Sequence, residues 1–227
     1  MLNELVFLIQ SIVMGIFALV SLRLGKIGLT CFVTITCILA NLFVVKQIIL
    51  CGYTATASDA YSIGAVLGLN LLQEYYDRAT AQRAIVISFI LLIFYCIVSQ
   101  LHLAYDPCIA DAAHAHYLAI LGWMPRIVAA SLSVYITVQY IDAWFYGFLK
   151  RFTQGNYLVA RNVLSLIICQ LLDTILFSFL GLYGILDNIT EIIIVSYSIK
   201  LAAIAISIPF IMLSKKILPH IKTPDLI

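Results

Sequence analysis

Residues 84–105 read AIVISFILLIFYCIVSQLHLAY, 22 positions without an Asp, Glu, Lys or Arg. An α-helix rises 1.5 Å per residue and a bilayer's hydrocarbon core is about 30 Å thick, so roughly 20 such residues cross it. Similar runs occupy 5–22, 29–50, 54–76, 126–148, 158–184 and 190–213. The expected fold is an all-α polytopic membrane bundle of about seven transmembrane helices, six core helices plus an N-terminal one, in a single domain over 1–227. Composition agrees. Of 227 residues, 63% are hydrophobic and 11% charged, with a mean hydropathy of +1.08; a soluble domain needs about 25% charged residues to cover its surface. A soluble enzyme, a nucleic-acid binder and a disordered linker are excluded. The net charge of +2 is too small to imply an anionic partner.

The leader Met1-Leu2-Asn3-Glu4 carries no basic residue and no small-x-small site follows it, so the first run reads as a helix rather than a signal peptide. Basic residues set the orientation. Arg23, Lys26, Arg78, Arg83, Lys150, Arg151, Lys215, Lys216 and Lys222 follow the odd-numbered spans. The other connectors (51–53, 106–125, 185–189) carry Asp106, Asp111 and Asp187 and no Lys or Arg. The N-terminus is expected outside and the C-terminus in the cytoplasm. The six cysteines lack C-x-x-C spacing and read as small membrane-core residues. Cys51 with Cys108 is the only disulfide worth naming.

Lys46, Arg126, Arg161 and Lys200 fall in or at the rims of spans, as do Asp59, Glu74, Asp142 and Asp173. Each costs a few kcal/mol if left alone in lipid, so four cations against four carboxylates imply a polar interior with mutual pairing. By depth, Lys46, Asp59 and Arg126 lie toward the outer face. Glu74, Asp142 and Arg161 lie toward the cytoplasm, and Asp173 and Lys200 meet near mid-membrane. Spans five and six share a pattern: Gln139-x-x-Asp142 near Phe145, and Gln170-x-x-Asp173 before Phe177. The i,i+3 spacing puts amide and carboxylate on one helical face. Arg126 with Ser131 and Arg161 with Ser165 open the two spans, which run in opposite directions, as in an inverted repeat. Span three adds Asn70 and Glu74 at i,i+4, and span two adds Asn41. Amides and carboxylates among aromatic rings suit a small, planar, hydrogen-bonding ligand with a guanine-like edge.

The sequence lacks a phosphate-binding loop, a nucleophile elbow and a zinc-protease motif. Asp111-Ala-Ala-His114-Ala-His116 has metal-ligand residue types in an outer loop, and a solvated loop is the simpler reading.

In order and membrane placement, these residues resemble the queuosine precursor transporter family, also called the vitamin uptake transporter or YhhQ-like family. The resemblance runs from about Asn41 to Pro224. It rests on Asn41 with Lys46, Glu74-x-Tyr76 with Arg83, Arg126 with Ala130-Ser131, and Gln139-x-x-Asp142. It continues through Arg161-Asn162, Ser165, Gln170-x-x-Asp173 with Phe177, Lys200 and Thr223-Pro224. It implies a multi-pass protein of the bacterial inner membrane that imports 7-deazaguanine bases for tRNA modification, with no cofactor and no metal. Asn41, Asn70, Glu74, Gln139, Asp142, Gln170 and Asp173 become the expected substrate contacts. Lys46, Asp59, Arg126, Arg161 and Lys200 become charge-pairing or gating residues. The family pattern Asp-x-x-Thr-Glu-x-Tyr-Gly appears here with Asn70, Gln73 and Asp77 at its first, fourth and last positions. That departure makes queuine, with its larger cyclopentenediol arm, an alternative substrate. The expected partners are a deazapurine and the bilayer, with a homodimer or a separate energy-coupling module left open. Two rivals are a substrate-binding subunit of an ATP-driven vitamin transporter and a metal-dependent membrane enzyme built on the Asp/His loop.

Overall fold

The computed structural model describes residues 2–152 and 158–202. Helices α1 (Leu2–Arg23) and α2 (Gly25–Phe43) are followed by strands β1 (Gln47–Leu50) and β2 (Tyr53–Thr56). Then come α3 (Asp59–Tyr75), α4 (Arg78–Leu103), α5 (His114–Leu121), α6 (Met124–Phe152) and α7 (Leu158–Phe177), which runs into a π-helical turn, Ser178–Leu182. Residues 189–202 form α8. Among the described residues, Leu2–Arg23, Gly25–Phe43, Arg78–Leu103 and the stretch His114–Asp142 are long and apolar enough to cross a bilayer. The chain is a helical membrane protein.

Helices α1 to α4 pack around Ala18, Leu22, Leu29, Phe32, Val33, Leu67, Leu71, Leu72, Tyr75, Ala81 and Ala84. Small residues let backbones approach, the usual basis of helix association where lipid is as apolar as leucine. A second cluster joins α2, α5 and α6 to the π-turn and α8 through Val44, Leu121, Met124, Ile127, Leu182 and Ile192. Large apolar side chains such as Ile9, Ile12, Phe17, Ile90, Phe94 and Ile97 face outward. Such a surface needs lipid around it.

Two expectations are corrected. The run 29–50 is not one helix: α2 ends at Phe43, and Gln47–Leu50 pairs antiparallel with Tyr53–Thr56, Gln47 opposite Thr56. The two-residue turn has positive φ at both Cys51 (52°) and Gly52 (87°), the form that matches strand twist in a hairpin. The fold is therefore helical with one β-hairpin, and α3 starts at Asp59 rather than 54. The connector 106–125 also contains α5. Elsewhere the runs and helices coincide, and the part of the last run beyond residue 202 lies outside the described residues. All six cysteines are free, Cys51 and Cys108 included.

The α3–α4 junction is set by Asp77, whose Oδ1 accepts from the Thr80 backbone N–H at 2.5 Å as the N-cap of α4. That bond holds its carboxyl below the usual carboxylate range, as expected where a carboxylate satisfies an orphan helix amide.

Helix α3 makes two close approaches that differ in tolerance. A Cβ on Gly68 would lie 2.7 Å from Val33 Cγ2 and 3.2 Å from Phe32 Cδ1, whereas one on Gly64 would meet the Met14 thioether at 3.2 Å. Branched Val33 has little room to turn, and Met14 can move. Gly68→Ala is expected to cost about 1–3 kcal/mol and Gly64→Ala to be close to neutral. Thermal unfolding midpoints of the two variants in detergent check the order.

Candidate functional site

A cavity of about 930 Å³ lies between α2, α3, α6, α7 and α8. Its lining follows helical periodicity: Cys37 and Asn41 on α2, with Val44 just after its end; Asp59, Ser62, Val66, Leu69 and Gln73 on α3; Ser131, Tyr135, Val138, Gln139 and Asp142 on α6. Helix α7 presents Cys169, Gln170, Asp173, Thr174 and Phe177, and α8 presents Ile192, Ser196 and Lys200 four residues apart. Spacings of three and four keep these side chains on one face of each helix.

Both Gln-x-x-Asp pairs thus reach the same space, one from α6 and one from α7. Lys200 Nζ lies 2.5 Å from Asp173 Oδ2, the central pair expected from depth. Ser196 Oγ donates to Asp59 Oδ2 at 2.9 Å, and the neighbouring Thr56 and Ser58 hydroxyls bond each other at 2.8 Å. Ser131 Oγ donates to Asn41 Oδ1 at 2.7 Å, while Asn41 Nδ2 donates to the Cys37 carbonyl at 2.9 Å. Asn41 therefore ties α2 to α6. Cys169 Sγ donates to Asp142 Oδ1 at 3.3 Å. Phe89 and Tyr135 meet edge to face, centroids 4.8 Å apart, and with Phe177 give the cavity aromatic walls.

The two ends differ. Asn41, Thr56, Ser58, Ser178, Ser196 and Asp59, the last only 4% exposed, are buried under the hairpin. Gln73, Arg78 and Gln139 at the other end are exposed. The lining is thus buried at the hairpin end and exposed at the other. The hairpin is held from two sides: Glu4 accepts from the Cys51 N–H, Asn3 donates to the Ile49 carbonyl, and Glu191 of α8 accepts from the Thr54 N–H, each at 2.9 Å.

Asn41, Asp59, Gln139, Asp142, Gln170, Asp173 and Lys200 line the cavity; Asn70 and Glu74 do not. They lie half-buried on α3, between the cavity stripe and the stripe packed on α1 and α2. Lys46 is exposed at the base of the hairpin, beside a separate, largely apolar cavity walled by Tyr95, His102, Tyr117 and Trp123. Among the described residues Arg126 meets no acid: its guanidinium donates to the Leu180 carbonyl at 2.9 Å and the Tyr183 carbonyl at 2.6 Å. It satisfies carbonyls that the end of α7 and its π-turn leave open. The side chains of Arg161 and Ser165 lie outside the described ones. Sequence reasoning missed Thr56, Ser196, Thr174 and Arg78. Ser196 was within reach, because it stands four residues before Lys200 on the same face. No group of three or more metal-ligand side chains occurs among the described residues; Asp111 instead caps a local turn through the Ala113 N–H at 2.7 Å.

A family model described as "Putative vitamin uptake transporter" matches residues 56–214. A curated relative from Bacillus subtilis (strain 168), named "Probable queuosine precursor transporter", is 33% identical over 200 residues, covering 86% of this chain and 87% of the relative. No solved structure gives a significant match.

Removing one member of a buried ion pair strands the other, at about 3–5 kcal/mol when both are fully buried. Here the side chains of Lys200 and Asp173 keep 18% and 35% of their surface toward the cavity. Lys200→Met is therefore expected to cost less, about 1–3 kcal/mol. Adding Asp173→Leu should restore most of that loss, and unfolding midpoints of the single and double variants measure the coupling.

Proposed function

Because this chain belongs to the vitamin uptake transporter family, we propose that it imports a 7-deazaguanine queuosine precursor, or queuine, across the bacterial inner membrane for tRNA modification. The observation that carries the proposal is the convergence of Gln139, Asp142, Gln170, Asp173 and Lys200 on one aromatic-walled cavity. A guanine-like edge offers a carbonyl acceptor beside N–H donors. A lysine beside a carboxylate offers a donor beside acceptors, which is the complement. The glutamines can answer the remaining polar atoms, and Tyr135, Phe89 and Phe177 can cover the ring faces. In this reading the protein works as a transporter, not an enzyme, and the whole of 1–227 forms one transport unit.

We take the chain to cross the membrane seven times with its N-terminus outside. The hairpin then closes the cavity from the outer side and the Gln73–Arg78–Gln139 end opens to the cytoplasm, so the arrangement is the inward-open one. Gln73, where the family pattern has threonine, lines the cavity and is the position through which selectivity among deazapurines has shifted. Asn70 and Glu74 support α3 from beside the cavity, and Arg126 serves as a helix-end cap in place of a gating charge.

Asp173→Asn keeps the shape of the side chain but loses the charge that accepts from the ligand and from Lys200. Uptake of a labelled deazaguanine into cells is expected to fall by about 10- to 100-fold, with normal membrane insertion. Wild-type uptake by that variant would overturn the site. A membrane-impermeant maleimide should label the exposed Cys51 and Cys108 from outside intact cells; labelling only after lysis would reverse the orientation.

A further inference from the structure

Resting on the transport reading above, we propose that Asp59 is the site of a co-transported proton, coupled to substrate through Lys200. Three groups on three helices stand around one cavity: Asp59 opening α3, Lys200 on α8 and Asp173 on α7. One face of α8 meets both carboxylates: Ser196 Oγ donates to Asp59, and Lys200, one turn further on, is bonded to Asp173. Asp59 is almost fully buried, and its partner is the Ser196 hydroxyl. A hydroxyl donates to a carboxylate and accepts from a carboxylic acid by turning one bond, so this partner fits Asp59 in both states.

The other ionisable groups around it are accounted for. Arg78 on α4 stands at the far, exposed end of the same cavity, and Asp142 on α6 receives the Cys169 thiol. Glu4 on α1 and Glu191 on α8 hold hairpin amides, and Lys46 is exposed at the hairpin's base. Tyr61 stands two residues along α3. Lys200 stands one turn from Ser196 on the same face of α8, and in the proposal its choice of partner links the two carboxylates.

A protonated Asp59 makes no claim on Lys200, which then stays at Asp173 and completes the donor-beside-acceptor edge for the base. An ionised Asp59 draws Lys200 away and dismantles that edge. Proton and substrate therefore bind synergistically, each raising the other's affinity by the same factor. The proton joins the Asp59 carboxylate when the hairpin opens outward, and leaves with the substrate on the cytoplasmic side. The cycle moves one proton inward with each base and needs no nucleotide.

The test uses the purified full chain in liposomes with radiolabelled 7-cyano-7-deazaguanine, whose neutral substituent does not add an ammonium of its own. Wild type should exchange labelled for unlabelled base without a gradient. It should accumulate the base several-fold when the interior is buffered alkaline to the exterior, lose that accumulation to a protonophore, and bind the base more weakly as pH rises. Asp59→Asn, a mimic of the protonated state, should still exchange but gain nothing from the gradient, and its affinity should be flat with pH. Wild-type exchange without pH-driven accumulation, or accumulation driven by sodium instead, overturns the proton site and leaves the transport reading standing. No exchange by wild type overturns transport by this chain alone, and the proton site falls with it. The wild-type measurements decide the matter even if Asp59→Asn fails to insert.

Discussion

The ion pair between Lys200 and Asp173 is the constraint on which the rest of the site depends. Charged side chains within membrane-spanning helices are tolerated only where they find partners or water. This pair satisfies both members, fixes α8 against α7 and defines the middle of the cavity. Everything polar around it follows the same economy. Asn41 is answered by Ser131 and by its own helix, Asp59 by Ser196, and Arg126 by carbonyls. The result is a polar interior inside an apolar shell, the inverse of a soluble domain.

That interior is asymmetric from one end to the other. At one end a four-residue-a-strand hairpin, pinned by Asn3 and Glu4 of α1 and by Glu191 of α8, covers the buried carboxylate Asp59. At the other, Gln73, Arg78 and Gln139 are exposed. Its two anchors come from opposite ends of the described chain, so a relative movement of α1 and α8 changes how the hairpin is held. A carrier needs a compartment that opens on alternate sides, and this arrangement supplies a buried end and an exposed one.

The spans were legible because lipid demands length and apolarity, and those are properties of composition. The i,i+3 pairs Gln139/Asp142 and Gln170/Asp173, and the pairing of Asp173 with Lys200, were legible because helical spacing and span length are arithmetic. The hairpin was not: QIIL-CG-YTAT continues the uncharged run after Lys46 without a break, and only its β-branched content and X-Gly turn mark it out. Arg126 was misread because its partners, 54 and 57 residues away, are backbone carbonyls, which leave no trace in side-chain chemistry. Asn70 and Glu74 share a face with each other, but α3 is covered on one side by packing and on the other by the cavity. One step round the helix decides which, and periodicity alone does not register so small a step.

Complementation of a salvage-deficient host tests the central claim most directly. The gene would be placed in a bacterium that neither makes nor imports queuosine precursors but carries the enzymes that use them. Each deazaguanine would be fed at low concentration and tRNA queuosine read by boronate gel shift. The account predicts a shift that requires this gene and ranks the bases by their fit to the cavity. No shift with any base, in cells whose membranes contain the protein, would contradict it.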